Sequence, residues 1–84
     1  MYKYEDEKPK IFTDKGQRNF IKVRDRVKKL LEESGAFMMF SALKDISGDS
    51  WEMMAYVDRL VELKEIREIT TDGVPAQHRV FVLS

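Results

Sequence analysis

The stretch GDSWEMMAYVDRLVELKEI, Gly48–Ile66, decides the fold. Asp49 with Glu52 three residues later is a capping-box pattern, whose short polar side chains satisfy the N–H groups that a helix start leaves orphaned. From Ser50 to Leu63, the residues Met53, Tyr56, Val57, Leu60, Val61 and Leu63 fall on one arc, with Met54 at its margin. The opposite arc carries Trp51, Glu52, Ala55, Asp58, Arg59 and Glu62. The spacing predicts a helix that buries one face and turns outward one cation against three carboxylates.

Downstream, IREITT and HRVFVLS are rich in Ile, Thr, Val and Phe, and Asp72-Gly73 and Pro75 lie between them. That pattern reads as a β-hairpin with a loop of several residues. Upstream, AFMMF (Ala36–Phe40) reads as a stub strand leading into a short helix through SALKDIS, Ser41–Ser47, and SGDS makes the next turn. Further back, Asp14 and Gln17 suggest a capping box. At about 100° per residue, Phe20, Val23, Val27, Leu30 and Leu31 share one stripe, and Gly35 supplies the stop. The first ten residues, MYKYEDEKPK, mix both charge signs without periodicity. Residues 1–12 are therefore expected to be a flexible or loosely docked arm, and 13–84 a domain. The fold class expected is α+β, mainly α: a three-helix bundle followed by a C-terminal hairpin.

The chain has 84 residues, so its core is small and every apolar face counts. Fifteen Lys and Arg balance fifteen Asp and Glu, whereas a nucleic-acid binder usually advertises a basic excess. Surface distribution still decides that question. The absence of cysteine removes disulfides, thiolate zinc sites and thiol catalysis. No apolar run reaches the length of a membrane span, and the first ten residues are too charged for a signal peptide. A cytoplasmic protein without a membrane partner is the expectation.

The catalytic inventory is short. His78 is the only histidine, so no histidine metal site can form, and it reads as an exposed strand residue. No phosphate-cradling glycine loop occurs, and Glu32-Glu33 read as a solvated helix face. Neither enzymatic activity nor a metal or cofactor is expected. The methionine pairs Met38-Met39 and Met53-Met54 read as gap-filling core residues, or as an adaptable binding surface. Arg18, Lys22, Arg26 and Lys29 recur at spacings of four, four and three along the first helix. They form one stripe opposite its apolar face, flanked by Asp25 and Glu33. That stripe is either a solvated face or a site for an acidic partner. Trp51, at a helix N-terminus, either folds back on Met39 or Ile46 or anchors a partner. Tyr2 and Tyr4 of the arm are further anchor candidates, for self-association.

RLVELKEIREI resembles the segment of small bacterial winged helix-turn-helix regulators in which two helix leucines, here Leu60 and Leu63, precede a turn and the first wing strand at Ile66. TDGVPAQHRVFVL resembles the wing and its return strand, and AFMMFSALKDIS the stub strand and second helix. The likeness runs from Asp14 to Ser84, with one departure. Such families often place glycine between helix and wing, where Lys64 or Glu65 stands here, so the turn needs a costlier backbone geometry or another register. The resemblance implies a dimeric, DNA-binding transcription regulator. Its contacts to double-stranded DNA would be Ser50, Trp51 and Arg59 on the helix, with Arg67, His78 and Arg79 on the wing. The alternative is a winged helix used for protein–protein interaction, through the Trp51 face or the basic stripe, without DNA.

Overall fold

The computed structural model describes every residue, Met1–Ser84. A short helix α1 (Tyr4–Glu7) runs into a 3-10 turn (Lys8–Phe12), followed by the long helix α2 (Asp14–Ser34). Then come strand β1 (Ala36–Met38), helix α3 (Met39–Leu43) and helix α4 (Ser50–Glu62). Strand β2 (Ile66–Glu68), a second 3-10 turn (Ala76–His78) and strand β3 (Val80–Leu83) complete the chain. The architecture is mainly helical with one small antiparallel sheet. No helix is long and apolar enough to cross a membrane.

The start of α2 differs from the expected Asp14–Gln17 pair. Thr13 is the cap: its Oγ1 accepts from the Gly16 N–H at 3.0 Å and donates to the Lys10 carbonyl at 2.9 Å. One hydroxyl thus caps α2 and fixes how the 3-10 turn enters it. The C-terminus follows expectation, with Gly35 at φ 75° donating its N–H to the Leu31 carbonyl. Val23 and Val27 are buried, while Phe20, Leu30 and Leu31 lie half-buried against the same core.

The apolar run Ala36–Phe40 divides between two elements. Met39 donates its N–H to the Arg79 carbonyl at 2.7 Å, and the chain turns there into α3. The short helix therefore occupies Met39–Leu43 and not Ser41–Ser47, and Asp45, at φ 66°, lies in the loop that follows. The side chain of Asp49 caps α4 by accepting from Trp51 and Glu52 N–H, at 2.8 and 3.3 Å. Glu52 does not complete the box, because it accepts from the Tyr56 hydroxyl at 3.0 Å. Beyond α4, Lys64 takes the left-handed turn at φ 62°, the costlier geometry that the missing glycine implies.

The sheet order is β1-β3-β2, both pairings antiparallel, so β3 is central. The register sets Phe37 opposite Phe81, and their rings stack with centroids 5.3 Å apart. The hairpin strands are shorter than the β-rich runs, and His78 sits in the 3-10 turn ahead of β3. Tyr56, Leu60, Val57, Met39, Val23 and Phe81 are fully buried and join α2, α3, α4 and the sheet in one core. Each such apolar side chain contributes about 2 kcal/mol of transfer free energy.

Candidate functional site

The outward arc of α4 is not open. Ala55, expected on the solvent side, is fully buried, and Asp58 and Arg59 are only half-exposed. The cover is the N-terminal segment: α1 and the Lys8–Phe12 turn both pack on α4, and Ile11, 2 % exposed, is a core residue. Polar bonds fasten it. The Tyr2 hydroxyl donates to Asp58 Oδ2 at 2.6 Å and the Tyr4 hydroxyl to Glu62 Oε1 at 2.9 Å. Lys8 Nζ donates to Glu62 Oε2 at 2.8 Å. Arg59 pairs with Glu62 and sets its guanidinium over the Phe12 ring, 5.3 Å from the centroid.

Asp58 faces a second partner, on the hairpin side. Arg79 Nη2 lies 2.8 Å from Asp58 Oδ1 and 2.8 Å from Glu68 Oε1, and Arg79 Nε donates to Glu68 Oε2 at 3.0 Å. The Thr70 hydroxyl also donates to Glu68, and it accepts from the Val80 N–H at 3.3 Å. The Arg79 guanidinium lies over the Phe81 ring at 5.2 Å. Tyr2, Asp58, Arg79, Glu68 and Thr70 thus form one polar chain linking arm, helix and hairpin. A planar fork bridging two carboxylates is the geometry that arginine satisfies and lysine does not.

Protonation follows these contacts. Glu62 is drawn down to about 2, mainly by the Lys8 hydrogen bond and then by Arg59 and Tyr4. Glu68 is held below its ordinary value by Arg79, with Thr70 adding to it. Burial, and then the bond to Glu62, pushes the Tyr4 phenol up to about 12. Burial, and then Asp58, raises Tyr2 further still. Around neutral pH the arm therefore presents phenol O–H donors, that of Tyr4 to an ionised Glu62 carboxylate.

No protein-family model, curated protein or solved structure matches the chain.

The six residues expected to touch DNA divide into two groups. Arg59 and Arg79 are committed to carboxylates of their own chain. Ser50 and Trp51 are exposed at the first turn of α4, and Arg67 and His78 are exposed on the hairpin. Trp51 is 42 % exposed, and the groove holding Met39 and Ile46 is walled without it. Along the basic stripe, Arg18, Lys22 and Lys29 are exposed and make no ion pair. Arg26 is half-buried, and its Nη1 donates to the carbonyls of Lys44 at 2.7 Å and Ser41 at 3.4 Å. It satisfies the C-terminal carbonyl groups that α3 leaves open. The residues that bond α4 directly, Tyr2, Tyr4 and Lys8, and those that reach it through Arg79, namely Glu68 and Thr70, carry no local pattern. As contact residues, the sequence singles out only the tyrosines among them.

Proposed function

We propose that this chain is a winged-helix module that recognises another protein and does not read a DNA groove. One observation carries the reading: the middle of the outward face of α4, from Ala55 to Arg59, is covered by the chain's own N-terminal segment. The order helix, strand, helix, helix, strand, strand, with first strand paired to last, supports the winged-helix part. In the DNA mode of such domains a helix enters the major groove and cations neutralise phosphates, releasing counterions. Here a groove would meet Tyr2, Tyr4 and Lys8 before it met the Asp58–Glu62 turn of α4, and Arg59 and Arg79 are already neutralised. Removing the arm does not restore a reader, because it bares Asp58 and Glu62. Apolar side chains are open instead, including Trp51, Phe40 and Met38.

The test uses the full chain in two assays: titration with mixed-sequence duplex DNA at low salt, and selection from a random peptide display library. The reading expects no measurable duplex binding and reproducible enrichment of peptides. Duplex affinity that falls steeply with salt and is lost in Arg67→Glu would overturn it.

A further inference from the structure

Two grooves flank α3, and they share a ridge. One, of about 410 Å³, is lined by Phe40, Leu43 and Ile46 and by the methionines Met39, Met53 and Met54, which are themselves buried. The other, of about 450 Å³, is walled by Arg26, Lys29 and Lys44 together with Glu33 and Asp45. Phe40 and Lys44 line both, and Phe40 is 59 % exposed on the ridge between them. An apolar trough and a cationic trough thus run side by side, separated by one aromatic ring.

The second trough sets three cations, Arg26, Lys29 and Lys44, against two carboxylates. Arg26 is anchored through Nη1 to the carbonyls of Ser41 and Lys44, and its Nε and Nη2 donate to no group of the chain. Lys29 and Lys44 are exposed and make no ion pair. Lys22 continues the row on α2, about 6 Å before Arg26 along the helix axis. A guanidinium already fixed in place loses little freedom when it meets a carboxylate, so its charge-assisted bonds are retained as affinity. Thioether side chains re-pack around varied apolar groups, which suits the neighbouring trough to bulky side chains.

We propose that α3 is the docking ridge for an acidic segment of a partner protein studded with large apolar side chains. Its aliphatic or aromatic groups enter the methionine trough, and its carboxylates meet Arg26, Lys29 and Lys44. The charge pattern favours a peptide over a nucleic acid. A phosphate backbone is negative at every step and would meet Glu33 and Asp45, whereas a peptide can set a neutral or basic residue against them. The proposal rests on the protein-recognition reading and names its site and ligand chemistry.

The experiment starts with the random peptide library on the full chain, and continues with a synthetic copy of the most enriched peptide followed by fluorescence anisotropy. The selected peptides are expected to be rich in Asp and Glu interleaved with Leu, Phe or Trp. Lys29→Glu/Lys44→Glu is expected to weaken the peptide at least about tenfold, as is Phe40→Ser. These side chains are exposed, so the melting temperature of both variants is expected to stay near that of the parent. Methyl signals of Met39, Met53 and Met54 are expected to shift on titration. Enriched peptides without acidic residues, or binding indifferent to the charge reversal, overturn the proposal. An empty selection overturns it too. Heparin or a short oligo-dT binding as tightly as the peptide makes the trough a general polyanion surface and also overturns it. Peptides that enrich but shift only signals around Trp51 remove this site and leave the protein-recognition reading standing. Duplex binding with no enrichment removes both.

Discussion

Replacing Arg79 by Met keeps a long apolar stem over Phe81 and deletes a guanidinium that holds two carboxylates. Four hydrogen bonds go: two to Glu68, at 2.8 and 3.0 Å, and two to Asp58, at 2.8 and 3.3 Å. Breaking a buried pair from one side costs about 3–5 kcal/mol, because an uncompensated charge remains. The side chains of Asp58 and Glu68 retain 13 % and 27 % exposure, and Tyr2 and Thr70 still donate to them. Water and those hydroxyls reduce the expected loss to about 2–3 kcal/mol. For a domain of this size that lowers the melting temperature by roughly 10–20 °C. Urea denaturation at neutral pH is the assay, with the midpoint falling and the slope unchanged. Arg79→Lys is expected to be intermediate, since an ammonium cannot span both carboxylates. The triple variant Arg79→Met/Asp58→Asn/Glu68→Gln is expected to recover much of the loss by removing the stranded charges. A loss below about 0.5 kcal/mol for Arg79→Met, or full function of lysine in its place, would refute the bridge.

Four further perturbations probe the arm and the turn. Gly16→Ala is expected to cost about 2 kcal/mol or more, although alanine favours helices. An added Cβ would collide with the Lys10 carbonyl and lie 2.8 Å from that of Ile11, and chemical denaturation reads the cost. Lys64→Gly is expected to stabilise by about 0.5–1 kcal/mol, because glycine takes the φ of 62° without strain; an unchanged midpoint contradicts that account. Glu62 has a folded pKa near 2 against 4.5 in its unperturbed state, so its contribution is complete above about pH 4.5 and is lost as pH falls toward 2. Glu62→Gln is expected to flatten the acid limb of a stability-versus-pH curve over that window. At the alkaline end Tyr4 has the opposite sense: its contribution is present below pH 10 and lost as pH rises toward 12, so Tyr4→Phe flattens that limb.

The parts of this fold that were legible in the sequence are those governed by neighbours a few residues apart. The Asp49 cap, the Met53–Tyr56–Val57–Leu60 arc and the Gly35 stop each depend on one or two helical turns, and each appears where the spacing puts it. The burial of Ala55 depends on a segment more than forty positions away, which no helical period can report. The same holds for the carboxylates of α4. Their outward position was readable, but Tyr2 lies 56 residues from Asp58, and Arg79 lies 21. The α3 boundary has a related origin: pairing with the distant β3 runs in register to the bond from the Met39 N–H to the Arg79 carbonyl, and the helix begins where that pairing stops. Of the candidate site, the basic stripe was visible as a periodicity. Its meeting with a methionine trough across Phe40 needed the loop after α3 to be placed.

Asp58 receives a donor from the first residues of the chain and another from Arg79, just ahead of the last strand, so a single carboxylate ties three distant segments together. An opening motion that frees the hairpin must also uncouple Arg79 from α4 and disturb the Tyr2 contact. The hairpin, the helix and the arm are thereby joined in one cooperative unit. Amide exchange in Val80–Leu83 should follow that of α4, instead of showing the easy local fluctuation of an independent β-finger.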